Sequence, residues 1–214
     1  MERSGRASCS RPVAVVLLVV GALVPLSAIR LLGRHLVADV LAASAVAWLA
    51  GVDAGAMTRA VEGFSGLEHA LEPVGQVGGV HFVNDSKATN IEAARRAIES
   101  FDEGLVVILG GRFKGGDFRD LLEPLQSRRG TVVAIGESRR LIADALGGRV
   151  EVHESSDMSS AVRTAFASAS PGQTVVLAPA CSSFDMFRDY AERGRVFKQE
   201  VLRLQEEWSV TREQ

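Results

Sequence analysis

The sequence predicts an α/β protein, on two observations. At 214 residues and 47% apolar content, the chain has enough hydrophobic material for one large domain or two small ones. Beyond about residue 68, short apolar runs (HFVND, LVVILGG, TVVAIGE, RVEVHE, TVVLAPA) alternate with helix-forming stretches (IEAARRAIES, FRDLLEPLQS, SRRLIADALG, MSSAVRTAFASA). Strands separated by helices of that length need crossover connections. These make the strands parallel and put helices on both faces, which is a Rossmann-like, mainly parallel sheet.

The elements follow in order. Arg3, Arg6 and Arg11 precede VAVVLLVVGALVPLSA, which has the basic head and short apolar run of a signal peptide. The run from Pro12 to Leu26 is short for a membrane span, and its β-branched residues, Gly21 and Pro25 suit one or two buried strands better. A start placed upstream of the real reading frame is the third possibility. From Leu36 to Ala50, LVADVLAASAVAWLA is alanine-rich and helix-favouring, and Gly51 ends it. Asp53 caps a shorter helix in AGAMTRAVEGF. The loop FSGLEHALEPVG separates this helical piece from the rest, giving segments 1–30, 31–66 and 67–214. LEPVGQVGG adds a short antiparallel strand or hairpin before the repeating pattern, and a last helix runs from about Arg188 to Trp208.

Several function classes drop out. The formal charge of -2 leaves no broad basic face for nucleic acid. Cys9 and Cys181 form no CxxC, and His35, His69, His81 and His153 show no metal-ligand spacing. Cys181 has no histidine partner and is expected as a buried small hydrophobe. The sequence holds neither GxGxxG nor GxxxxGK[ST].

In open α/β sheets, ligands bind outside the carboxyl ends of the strands. Three strand ends are polar here: NDSKATN, GGRFKGGD and APACSSFD. Together they offer Asp85, Lys87, Thr89, Arg112, Lys114, Ser182 and Ser183. Two lysines and several hydroxyls on one edge suit a ligand bearing carboxylates or phosphates. Singly each is weak: Asp85 or Thr89 would serve equally as a helix cap, Lys87 as a solvated lysine, and GGRFKGG as a turn. Their convergence carries the inference.

NDSKATN, GGRFKGGDF, PACSSFDMF and RGRVFKQEV, with HALEPVG and LLGRH, resemble the D-glutamate-adding branch of the Mur ligase family from about Leu31 to the end. The resemblance implies an ATP- and Mg2+-dependent cytoplasmic ligase of peptidoglycan precursor synthesis, with UDP-N-acetylmuramoyl-L-alanine and D-glutamate as substrates and an acyl phosphate between them. It implies that residues 31–66 are the helical tail of a central ATPase domain and that the rest is the amino-acid-binding domain. By position, Asp85 and Lys87 would contact the nucleotide. Thr89, Lys114 and Ser183 would bind D-glutamate, with Phe184 and Tyr190 beside them; no catalytic or metal-binding residue carries over. The apolar run then reads as a truncated or mis-started cytoplasmic chain, with no membrane partner and with a missing N-terminal portion of the ligase as a possible partner. The chain also departs from the family pattern. Leu36 and Asp39 stand where GRHNxxN has asparagines, Ala70 replaces the arginine of HRLE, and Phe113 replaces the acid of GGRDKG. With the P-loop missing, catalysis by this chain alone is not expected, and a non-catalytic ligand-binding or regulatory module is the alternative.

Overall fold

A computed structural model describes residues 23–102 and 104–212, so the expectations for the apolar run lie outside the described residues as far as residue 22. The chain divides into two compact units, at Ser65 and Gly66. In the first, a 3-10 turn at Leu26–Ala28 precedes helices α1 (Arg34–Leu49) and α2 (Ala54–Glu62). Alanine and leucine favour α1, and Gly51 follows it at φ +84°, a conformation open to glycine at little cost. Asp53 starts α2 as expected, its carboxylate accepting the Ala56 N–H at 2.9 Å.

The second unit is built on six strands: β1 (Glu72–Val77), β2 (Val80–Asn84), β3 (Leu105–Gly110), β4 (Thr131–Ile135), β5 (Glu151–Glu154) and β6 (Thr174–Leu177). Their order across the sheet is β1-β2-β6-β3-β4-β5. Only β1 runs antiparallel, paired with β2 through a tight turn at Gly78 and Gly79 and carrying a bulge between Pro73 and Gly75. This is the expected hairpin. All other pairs are parallel.

Helices α3 (Ile91–Glu99), α4 (Leu122–Ser127), α5 (Arg139–Leu146), α6 (Met158–Ser168) and α7 (Tyr190–Arg212) supply the crossovers and the chain end. FRDLLEPLQS divides into a 3-10 turn, Phe118–Leu121, followed by α4, because Pro124 is tolerated only in the first turn of an α-helix. On one face, Met158 and Val162 of α6 and Phe197 and Val201 of α7 bury against Phe82, Ile108 and Val133. Alternate strand residues point the other way, where α3, α4 and α5 contribute Ile98, Leu125 and Ile142, each fully buried. Strand β3 is buried at all six positions because it lies near the middle of a sheet covered on both sides. Among the described residues no helix is long and apolar enough to cross a membrane.

The topology positions the site. The chain steps outward from β3 to β4 to β5, and α6 then carries it back so that β6 inserts between β2 and β3. The loops after β2, β3, β4 and β6 therefore emerge side by side at one edge of the sheet.

Candidate functional site

Backbone hydrogen bonds weld these loops together. After β2 and β6, Asp85 N–H donates to Leu177 O at 2.8 Å and Ala180 N–H to Ala88 O at 2.9 Å. Arg112, after β3, exchanges two backbone bonds with Ser182 at 2.9 and 3.1 Å, and Ser138, after β4, donates to Gly111 O at 3.1 Å. The close approach of β3's end to its neighbours needs glycine: a Cβ on Gly111 would overlap the Ser182 carbonyl.

The predicted residues are distributed unevenly over this edge. Lys114 and Thr89 come together from different loops, with Lys114 Nζ donating to Thr89 Oγ1 at 3.5 Å. Lys87, two residues before Thr89, is exposed, its own N–H anchored on His69 O at 3.1 Å. Phe184 is 64% exposed and Tyr190 41%. Ser183 is 2% exposed, so its hydroxyl is not displayed at the surface; its carbonyl closes a turn by accepting from Met186 and Phe187. Asp85 is turned inward, one carboxylate oxygen accepting the Leu71 N–H at 3.1 Å. Burial pushes the Asp85 carboxyl up to about 6, against the pull of the Leu71 hydrogen bond and of Lys87. Neither Asp85 nor Thr89 is a helix cap. Asn90 takes that role for α3, accepting the Ala93 N–H at 2.8 Å, because the chain is still turning between β2 and α3 at the earlier positions.

Phe113 stacks on the buried Phe118 with ring centroids 4.7 Å apart, so the side chain beside Lys114 is held by aromatic packing. Arg112 points elsewhere, forming a two-bonded pair with Glu137 at 2.9 and 3.1 Å. Glu137 N–H in turn donates to Asp185 Oδ2 at 2.9 Å. A cleft of about 410 Å3 opens here, lined by Gly136, Glu137, Arg139, Arg140, Ser156, Asp185 and Met186; Lys87 and Lys114 do not line it. Cys181 is buried as expected, and burial pushes its thiol up, away from nucleophilic character.

The residues that organise the edge were not singled out from sequence. Arg193, in the first turn of α7 and 1% exposed, donates to Ser86 Oγ (3.0 Å), Ser86 O (2.9 Å) and Cys181 O (3.0 Å), stapling the β2 and β6 loops. Ser86 Oγ in turn donates its own hydrogen bond to Tyr190 O at 2.7 Å. Asn84, fully buried at the end of β2, uses its oxygen for the Ser86 N–H at 3.1 Å and its amide nitrogen for Glu72 Oε2 and His69 Nδ1, both at 2.9 Å.

That network bears on metal binding. Among the described residues, Glu68, His69 and Glu72 are the one group with ligand-type atoms in mutual reach. However, Lys198 Nζ already bridges Glu68 Oε1 at 2.7 Å and Glu72 Oε1 at 2.9 Å. His69 Nδ1 receives an amide proton from Asn84, so the neutral ring carries its hydrogen on Nε2, where a metal would have to bind. Burial pushes the His69 pKa down, keeping the ring neutral. The donor set does not fit a divalent cation.

Gly194 completes the arrangement. A Cβ there would run into His69 Nδ1 and come within 2.9 Å of its Cε1 and 3.0 Å of Asn84 Nδ2. Inside a helix, Gly→Ala ordinarily stabilises by about 1 kcal/mol. Here Gly194→Ala is expected to reverse that sign and destabilise by about 2 kcal/mol, read as a lowered calorimetric melting temperature. A raised melting temperature would show that the His69 ring is free to move aside.

Comparison with known proteins adds to this geometry. A family model described as the Mur ligase, glutamate ligase domain matches residues 71–181. The UDP-N-acetylmuramoylalanine--D-glutamate ligase of Acidobacterium capsulatum is 49% identical over 180 residues, covering 84% of this chain and 39% of that protein. The protein of the same name from Solibacter usitatus is 47% identical over 169 residues, with coverages of 79% and 38%. The chain thus spans about two fifths of the length of the curated relatives it matches. Among solved structures, the UDP-N-acetylmuramate-alanine ligase MurC of Thermotoga maritima aligns with a TM-score of 0.60 at 18% identity, over 81% of this chain and 39% of that one. Folylpolyglutamate synthase of Mycobacterium tuberculosis, complexed with ADP, gives 0.59 at 18% identity over 80% and 41%. At such identities these two speak for the fold alone.

Proposed function

This chain belongs to the Mur ligase family, and we propose that its second unit is the amino-acid-binding domain of a ligase that adds D-glutamate to UDP-N-acetylmuramoyl-L-alanine in the cytoplasm. The observation that carries the reading is the meeting of Lys114 and Thr89 at 3.5 Å, from the loops after β3 and β2, at the carboxyl edge of the sheet. An ammonium and a hydroxyl from separate loops present donors, at a fixed spacing, to a carboxylate. Phe184 and Tyr190 flank the edge with exposed rings, and Ser183 shapes the turn beneath Phe184. Lys87 is the exposed cation available to a phosphate of ATP, with Asp85 behind it. ATP would supply the phosphate that activates the acceptor's carboxylate. Mg2+ would need ligands other than Glu68, His69 and Glu72, a cluster that Lys198 already fills.

Titration calorimetry tests the seat. D-Glutamate is expected to bind the wild-type chain, and Lys114→Ala to weaken it at least about tenfold, the value of a charge-assisted hydrogen bond. Thr89→Ala should weaken it by a smaller factor. Equal affinity of the wild type and Lys114→Ala would refute the assignment. Assaying ADP release with ATP, UDP-N-acetylmuramoyl-L-alanine and D-glutamate then separates a ligand-binding module from a ligase: turnover by this chain alone would exclude the module.

A further inference from the structure

Arg193 is an unusual arginine. Its guanidinium is 1% exposed and makes three hydrogen bonds, and every acceptor is neutral: Ser86 Oγ, Ser86 O and Cys181 O. Among the described residues no carboxylate forms an ion pair with it. Asp185 is the carboxylate near enough to favour its charge. Asp185 is itself engaged elsewhere, its Oδ2 holding the Glu137 N–H and its Oδ1 buried without a partner. Burial pulls the Arg193 pKa down to about 10, so the group stays charged at neutral pH. Buried charges are normally paired; this one has no direct ion pair, only the Asp185 carboxylate within electrostatic reach, and it lies under the loops that carry the ligand seat. Gly111 lies over it: a Cβ at Gly111 would sit 3.3 Å from Arg193 Nη1. With no side chain in between, little low-dielectric material separates the guanidinium from the edge of the sheet.

We propose that Arg193 is a positioning residue for the D-glutamate seat: its three hydrogen bonds lock the 84–90 and 178–183 loops in register, and its unpaired charge beneath them selects a ligand with two negative carboxylates over one with a single charge. The proposal rests on the reading of the Lys114 and Thr89 edge as that seat. The two roles separate in experiment because one depends on shape and the other on charge. Loss of register weakens all ligands alike, whereas loss of the buried charge weakens the dianionic side chain selectively.

The test compares D-glutamate with D-glutamine, its neutral-side-chain isostere, on the full chain and on Arg193→Lys and Arg193→Gln. Melting temperatures establish that each variant is folded. Arg193→Gln is expected to lower D-glutamate affinity roughly tenfold more than D-glutamine affinity. Arg193→Lys, which keeps the charge but loses the fork, should restore most of that discrimination while leaving both ligands weaker than in the wild type. An unchanged glutamate-to-glutamine ratio in a folded Arg193→Gln overturns the proposal and leaves the seat standing. Should both variants fail to fold, the wild type decides by NMR. Saturation with D-glutamate is expected to shift the Arg193 Nε–H resonance more than D-glutamine does, and equal shifts overturn the charge role. Absence of D-glutamate binding by the wild type removes the seat itself, and this inference with it.

Discussion

Gly110→Ala is expected to destabilise the protein by about 4 kcal/mol, at the upper end of single-residue effects. Gly110 is the last residue of β3, at φ +133°, and its N–H donates to Pro179 O at 2.8 Å. A Cβ would overlap the Ile135 carbonyl oxygen and lie 2.8 and 2.9 Å from that residue's carbonyl carbon and nitrogen. All three are backbone atoms of β4, held by the parallel register in which Gly110 pairs with Ile135, so they cannot rotate aside as a side chain would. Overpacking of this kind typically costs about 1–3 kcal/mol, and the positive φ adds about 1–2 more for any residue with a Cβ. Gly115→Ala separates the two contributions. It sits at φ +107° with nothing within 4 Å of its would-be Cβ, so only the backbone strain applies. Urea unfolding should show a loss about 2 kcal/mol larger for Gly110→Ala than for Gly115→Ala, at unchanged m-value. Equal losses would mean that the ends of β3 and β4 separate easily, and a ligand edge assembled from the loops beyond them would then lack its rigid base.

The sheet was legible because its signal is long-range and redundant. Runs such as LVVILG have one outcome in a chain that alternates with amphipathic helices: they become central strands. The strand ends were equally visible, since NDSKATN and GGRFKGGD interrupt apolar runs abruptly, and the structure bonds each of these loops, backbone to backbone, to the loop after β6. What the pattern could not reveal was orientation. Asp85 and Lys87 are two residues apart in one polar stretch, yet Asp85 faces Leu71 N–H in the interior and Lys87 faces solvent. Asn90, rather than Asp85 or Thr89, caps α3, because capping depends on which residue first adopts extended backbone immediately before the helix. Arg193 was concealed by its charge. Counted by helical spacing, however, it shares a stripe with Phe197, Val201 and Leu204, all buried, and that register was a readable sign of a buried arginine. Gly194 beside it then follows, since His69 needs the volume. Phe113, which looked like a lost acid beside Lys114, is explained by Phe118, five positions on and directly beneath it in the stack.

Asp85→Asn is expected to raise stability at pH 7.5 by about 2–3 kcal/mol, and by progressively less toward acid. The carboxyl stands at about 6 in the folded protein against an ordinary 3.8, a difference worth about 3 kcal/mol. Because the folded-state pKa is raised by burial, the folded protein holds more protons than the unfolded chain between about pH 4 and 6. Wild-type stability from this group therefore falls as pH rises through that window and stays low above it. Asparagine can keep the Leu71 N–H bond through its amide oxygen while removing the buried charge, so the variant should lack this fall. Urea unfolding at pH 4.5, 6 and 7.5 should show the gap between variant and wild type widening with pH, since other acids, such as the N-cap Asp157, are common to both proteins. A variant less stable than wild type at pH 7.5 would show that Lys87 and the Leu71 bond outweigh the desolvation of the carboxylate.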